Sequence, residues 1–142
     1  MYKTILFSVD LNDSASWEKA LPSALQLCQA FSAELHVLTV VPDLPMGVVN
    51  MYIAEDTESK LLRAVKDGLK TFVEERIPAG FKVVRHVGSG SVYSSIIDLA
   101  DKIDADLIIM ASHRPAMSDY LLGPNAARVI RHSSRSVLVV RS

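Results

Sequence analysis

The sequence predicts an α/β fold: one doubly wound domain, residues 1–142, with a five-stranded parallel sheet and helices on both faces. Three observations carry this. Short, continuous aliphatic runs such as Ile5–Val9 and Leu107–Met110 are what strands buried on both faces require. Between such runs lie stretches with apolar residues at helical spacing. The two patterns alternate four times and close on a last strand, an order that joins parallel strands through right-handed crossovers.

Ile5–Val9 is the first strand and ends on Asp10. Asn12, Asp13 and Ser14 supply helix-start chemistry, and Trp17, Ala20, Leu21, Ala24, Leu25, Cys28 and Phe31 recur at helical spacing. Pro22 falls inside this stripe and is expected to kink the helix or distort a turn. Leu35–Val41 is the second strand, closed by Pro42. Residues 42 to about 54 read as a long connection rich in apolar side chains (Leu44, Met46, Val48, Val49, Met51, Tyr52), as in a lid or an interface.

Asp56–Ile77 reads as a long amphipathic helix with Leu61, Leu62, Val65, Leu69, Phe72 and Val73 on one stripe, stopped by Pro78 and Gly80. Lys82–Val87 is the third strand. Gly88-Ser89-Gly90-Ser91 turns into a short helix marked by Ile96, Ile97, Leu99 and Ala100. After Asp106, the run Leu107–Met110 forms the fourth strand and gives way to Ala111, Ser112 and His113. A polar loop follows. Gly123-Pro124-Asn125 then opens a helix to about His132, and Ser136–Arg141 is the last strand.

Composition narrows the function. Fifteen basic and sixteen acidic residues leave almost no net charge, which argues against broad electrostatic binding of nucleic acid or an anionic membrane. No segment approaches the roughly 18 apolar residues of a membrane span. The N-terminal apolar run is too short for a signal-peptide core, so a cytoplasmic soluble protein is expected. Cys28 is alone, leaving no intramolecular disulfide and no cysteine-based metal site; it reads as a core residue.

In open α/β sheets, ligands bind at the carboxyl ends of the strands where strand order reverses. That places Ser8, Val9, Asp10, Val40 and the stretch from Ala111 to Arg114 around one crevice. Asp10 suits the ribose hydroxyls of a nucleotide, and equally suits capping of the first helix with Asn12 and Asp13. His113 and Arg114 could donate to a phosphate, against the alternative of a solvated loop. A strand, a loop and then a helix start at Gly123-Pro124-Asn125 is an anion-holding arrangement, because unpaired N–H groups and the helix dipole converge there. Gly123 permits close backbone approach, whereas Pro124 offers no N–H.

Other chemistries fail. Gly88-Ser89-Gly90-Ser91-Val92-Tyr93 begins like a dinucleotide fingerprint but has Tyr93 in place of the third glycine. There is no phosphate-binding G-x-x-x-x-G-K-S/T loop and no G-x-S-x-G elbow. His36, His86, His113 and His132 lack metal-ligand spacing. His36 and His86 suit satisfied positions in or beside strands, and His132 suits a helix C-terminus.

These residues carry a resemblance. The opening Tyr2–Asp10, the strand-loop-helix of residues 106–128, and the ending Val129-Ile130-Arg131-His132 with Ser136–Arg141 resemble the universal stress proteins nearly end to end. The resemblance implies strand order 3-2-1-4-5, an ATP or AMP ligand, and a homodimer, or higher oligomer, paired through Ser136–Val140. Residue by residue it implies that Asp10 contacts ribose or the phosphate–metal region, where a phosphate-bound Mg2+ could sit, with Ser8 and Val9 beside it. Val40 resembles the residue whose backbone meets adenine. Met110, Ala111, His113 and Arg114 resemble the loop around sugar and phosphates, and Gly123, Pro124, Asn125 and Ala126 resemble the helix start that holds the phosphates.

The nucleotide-binding members carry G-x-x-G-x9-G-S/T. Here Ala111 and Arg114 stand for the first two glycines, the spacer to Gly123 is one residue short, and Pro124 replaces Ser or Thr. Arg114 offers charge where glycine offers space, while Pro124 removes a hydroxyl and an N–H. The expected function is therefore a stress-response module that binds an adenine nucleotide and signals through its dimer. A slow ATPase or autokinase and a nucleotide-independent interaction module are the alternatives.

Overall fold

A computed structural model of the chain describes residues 1–41, 51–112 and 123–141, with the backbone alone for 51–59. The strands are β1 (Thr4–Ser8), β2 (Glu34–Val41), β3 (Val83–Ser89), β4 (Leu107–Ser112) and β5 (Ser136–Arg141). The helices are α1 (Ala20–Phe31), α2 (Met51–Arg76), α3 (Val92–Ile103) and α4 (Pro124–His132), with a 3-10 turn at Ser14–Ser16. The five strands form one parallel sheet of order β3-β2-β1-β4-β5, as expected.

Strand alternation assigns the two layers. Ile5, Phe7, Leu35, Val37, Leu107 and Ile109 pack with Ala20, Leu21, Ala24 and Cys28 of α1 and with Leu69 and Phe72 of α2. Leu6, Leu38, Ile108 and Met110 pack on the opposite face with Ile96 and Ala100 of α3 and Ala126 and Val129 of α4. Ile5, Leu6 and Phe7 are wholly buried. Each such side chain contributes about 1.5–3 kcal/mol of burial, which is why a five-residue strand holds the centre of the sheet.

Four boundaries differ from expectation by two residues or more, each for a physical reason. The first helix does not run from Asn12–Ser14. Asp13 caps only the 3-10 turn, and α1 starts at Ala20. Pro22 therefore sits in the first turn of α1, where proline is tolerated, and not in mid-helix. The second helix begins at Met51, not Asp56, so Met51, Tyr52, Ile53 and Ala54 belong to helix backbone. Asp56 and Thr57 resemble cap residues but lie inside that helix. The rest of the expected connection, 42–50, lies outside the described residues.

The other two boundaries concern strand ends. β3 continues through Gly88 and Ser89, which pair with Val40 and Val41. A methyl on Gly88 would come within 3.2 Å of Ser95, so glycine lets the end of β3 approach α3 closely. β4 likewise continues through Ala111 and Ser112, whose small side chains still fit the ladder with β5.

Cys28 is 2% exposed, and burial pushes its thiol up to about 11. His36 and His86 lie in β2 and β3, in or beside strands as expected. They are hydrogen-bonded to each other, and His132 ends α4. Among the described residues no helix is long and apolar enough to cross a membrane.

Candidate functional site

The chain reverses direction across the sheet between β1 and β4. β2 and β3 extend to one side of β1, β4 and β5 to the other. Outside the carboxyl ends of β1 and β4 this leaves an open crevice of about 460 Å3, within the size range of small-molecule sites. Its lining includes Ser8, Val9, Asp10, Val40, Met110, Ala111, Gly123, Pro124, Asn125 and Ala126. Every candidate among the described residues is therefore brought to one place. His113 and Arg114 lie outside the described residues.

The β1 side is a fixed turn. Val9 N–H donates to Leu38 O at 2.9 Å, extending the ladder one residue past β1. The Asp10 backbone N–H donates to Ser16 Oγ at 2.8 Å, and the Ser16 hydroxyl lies 2.9 Å from Asp10 O and 2.8 Å from Asp13 O. Asp10 Oδ1 accepts the Asn12 N–H at 3.0 Å, and Asp13 Oδ1 accepts the Ala15 N–H at 3.1 Å. Asp10 does not cap the first helix. One oxygen closes an Asx turn while the residue also lines the crevice, and the cap of the following turn is Asp13.

The α4 side supplies donors. Gly123 is the N-cap, Pro124 occupies the first turn, and the Ala127 N–H returns to Gly123 O at 3.1 Å. The N–H groups of Asn125 and Ala126 precede that first intrahelical bond and have no partner within the helix. They and the positive end of the helix dipole suit an anion. Ala126 and Val129, 2% and 0% exposed, seat the helix on the sheet.

Between the two sides the walls are apolar: Val40 from β2, Met110 and Ala111 from β4, and Gly90 and Val92 from the β3–α3 turn. Among the described lining residues the charged groups are Asp10 and Asp13 alone. The crevice therefore pairs a carboxylate end, suited to hydroxyls or a cation, with an amide end suited to an anion.

Sequence reading missed Asn12, Asp13, Ser16, Gly90 and Val92 as lining residues. The turn into a short helix read at Gly88-Ser89-Gly90-Ser91 is present, but its approach to the crevice was not foreseen. Gly88-Ser89-Gly90-Ser91 is no dinucleotide fingerprint. Gly90 adopts φ +90° and donates its N–H to Val41 O at 3.0 Å, which turns the chain from β3 into α3 against the crevice. Ser91 then caps α3 by accepting the Ser94 N–H.

A larger hollow of about 640 Å3 adjoins the crevice at Asp10, Asn12 and Val40 but opens toward α2, lined by Trp17, Leu61, Val65, Phe72 and Arg76. The Arg76 guanidinium lies 4.5 Å from the centre of the Trp17 ring. Its described lining includes no helix N-terminus and lies on the α2 side of β1, away from β4, so the smaller crevice is the better candidate despite its size.

Residues 1–141 match the sequence profile of the universal stress protein family. Universal stress protein G of Escherichia coli O157:H7 is 34% identical over 143 aligned positions, covering 99% of this chain and 100% of that protein. The structure of MJ0577, a universal stress protein of Methanocaldococcus jannaschii, matches with TM-score 0.77 at 28% identity, covering 100% of this chain and 97% of its own. A universal stress protein solved in complex with cAMP shares the fold, with TM-score 0.64 at 23% identity, covering 99% of this chain and 97% of its own. The chain belongs to the universal stress protein family of stress-response proteins.

Proposed function

We propose that this protein, as a single cytoplasmic domain of residues 1–142, binds an adenine nucleotide in the crevice between β1, β4 and α4 and acts as a dimeric regulatory module. The observation that carries the reading is the convergence of an acidic turn at Asp10, an apolar slot at Val40, Gly90, Val92 and Met110, and the N-terminus of α4 in one open crevice. Ribose hydroxyls suit the carboxylate end, a purine suits the slot, and a phosphate suits the Asn125 and Ala126 amides. His113 and Arg114 belong to the same proposed site as phosphate partners. That one fold neighbour was solved with cAMP supports the choice of an adenine nucleotide.

Pro124 removes one amide from the phosphate end, so a nucleotide with few phosphates, or one carrying Mg2+ toward Asp10, fits better than a free triphosphate. The dimer is proposed along β5. Val137, Leu138, Val139 and Val140 form an apolar edge strand that is only partly buried in the single chain, and pairing would cover it.

The test uses purified protein. Acid-quenched samples are chromatographed for released nucleotide, and melting temperatures are measured with ATP, ADP, AMP and cAMP, with and without Mg2+. A binder raises the melting temperature by mass action, by an amount set by its concentration relative to Kd. No released nucleotide and no shift at millimolar ligand overturns the proposal. Light scattering that reports a monomer at micromolar concentration overturns the dimer.

A further inference from the structure

On the face of the sheet covered by α3 and α4, β2 and β3 carry a polar chain among aliphatic side chains. His36 is 7% exposed and shares a face with Leu6, its partner on β1. His36 Nε2 lies 2.6 Å from Glu34 Oε1, and His36 Nδ1 lies 2.8 Å from His86 Nε2 on β3. Lys82 Nζ lies 3.2 Å from the second Glu34 oxygen. The imidazole centroids are 5.0 Å apart and their planes differ by 17°. With nitrogens 2.8 Å apart, rings so placed meet edge to edge, N–H against lone pair, and not face to face.

Donor and acceptor chemistry then assigns the protons. Lys82 and His36 hold the Glu34 carboxyl below the usual carboxylate range, so it only accepts. His36 Nε2 therefore carries hydrogen. In neutral His36 the Nδ1 is a lone pair, and His86 Nε2 must donate to it. His86 is left with an unprotonated Nδ1. A proton taken up there shifts along the chain. The shared hydrogen passes to His36 Nδ1, and the charge rests on His36 between a carboxylate and a neutral imidazole. Every contact survives. A second proton sets N–H against N–H and cation against cation.

We propose that Glu34, His36 and His86 form a two-stage proton latch that fastens the edge strand β3 to β2, closed with no added proton or one and opened by the second. Among the described residues β3 has β2 as its one strand neighbour, so this side-chain bridge adds to the ladder between them. Burial, His36 and Lys102 keep His86 below the usual histidine range, in keeping with a second proton that enters late. Among the described residues the charged groups that act on the cluster are Glu34 from β2, Lys82 just before β3 and Lys102 from α3. Arg85 alternates to the opposite face of β3. Among the described residues no group of three His, Cys, Asp or Glu side chains could hold a metal ion, so the cluster is read as a proton site.

The test is an imidazole 15N titration of the intact protein combined with backbone amide exchange. His36 and His86 should titrate as a coupled pair in two separated steps, the lower falling below the ordinary histidine value of about 6.5. Exchange of β3 amides, taken relative to β1 amides, should rise by at least about tenfold as pH falls through the lower step. In His36→Gln, His86 should titrate in one step, closer to the ordinary value. Should that variant not fold, Lys102→Gln serves instead and should raise the lower step. Independent single steps for the two histidines, or a β3-to-β1 exchange ratio that does not change with pH, overturns the latch.

Discussion

The Asp106 carboxylate accepts the backbone N–H groups of Lys3 at 2.7 Å and Thr4 at 2.9 Å, so the residue before β4 holds the start of β1. The Asp106 N–H in turn donates to Thr4 O at 2.8 Å. Those two backbone bonds, first Lys3 and then Thr4, hold the Asp106 carboxyl below its usual range. A depressed folded pKa means stability that is present above the unfolded value of about 3.9 and lost as pH falls through the folded one.

Asp106→Ala should therefore lower stability at neutral pH, by about 1 kcal/mol once solvent exposure of the site is discounted. The difference from wild type should shrink as both proteins are taken to acid. Urea unfolding at pH 7 and pH 3 checks this, and an equal deficit at both values would contradict it.

Arg135 clamps the α3–β4 connection to the start of β5. Its Nε donates to Asp101 Oδ1 at 3.1 Å, and its Nη1 to Asp104 Oδ1 at 3.0 Å and Ala105 O at 2.6 Å. The two carboxylates are exposed, so the ion pairs contribute little, and the carbonyl bond together with the packed stem contributes more. Arg135→Ala should cost about 1–2 kcal/mol. Arg135→Lys should recover less than half of it, because an ammonium cannot span three acceptors in that fork. Thermal melts of the two variants decide this.

Two glycines should respond in opposite directions. Gly68 lies inside α2, where an added methyl meets nothing closer than Leu11 at 3.5 Å. Gly68→Ala should stabilise by about 0.5–1 kcal/mol. Gly88→Ala places its methyl 3.2 Å from Ser95 and 3.4 Å from Leu38 at the junction of β3 and α3, and should destabilise by about 1–3 kcal/mol. Denaturant midpoints of the pair give the comparison.

Asp10 separates turn from ligand. Asp10→Asn keeps an oxygen for the Asn12 N–H and should melt near wild type, whereas Asp10→Ala loses the Asx turn and should cost about 1 kcal/mol. Both remove the carboxylate from the crevice. If nucleotide binds there, the thermal shift it produces should fall in both variants, and any Mg2+ dependence should vanish. An undiminished shift in Asp10→Asn would remove Asp10 from the site.

The frame was legible because burial on both faces writes itself as unbroken runs. Ile5-Leu6-Phe7 and Leu107-Ile108-Ile109 could be little else, and they fixed the strands around which the crevice forms. Helix starts were less legible. Asp13 has cap chemistry but spends it on a 3-10 turn, and a proline in a first turn looks the same in sequence as one in mid-helix. The strand order came through the family resemblance, whereas the rule that ligands sit at the carboxyl ends of the strands was enough to bring Ser8, Asp10 and Val40 to one crevice. Gly90 and Val92 stayed hidden because they reach the crevice from β3, two strands from the reversal, a relation that exists only in the folded sheet. The bond between His36 and His86 was hidden likewise, since fifty residues separate them.

Cys28, the chain's single cysteine, lies in the layer between α1 and the sheet with its thiol pushed up to about 11. A thiol that is neither ionised nor reachable does not react, because the thiolate is the nucleophile. Peroxide and disulfide reagents thus find no reachable thiol in the folded protein, which can meet an oxidising insult without cross-linking through its own cysteine. The same seclusion makes Cys28 a built-in clock. Each label that reaches its sulfur records one opening of the core, so the rate of modification by a disulfide reagent reads how often this fold comes apart and whether a bound ligand slows it.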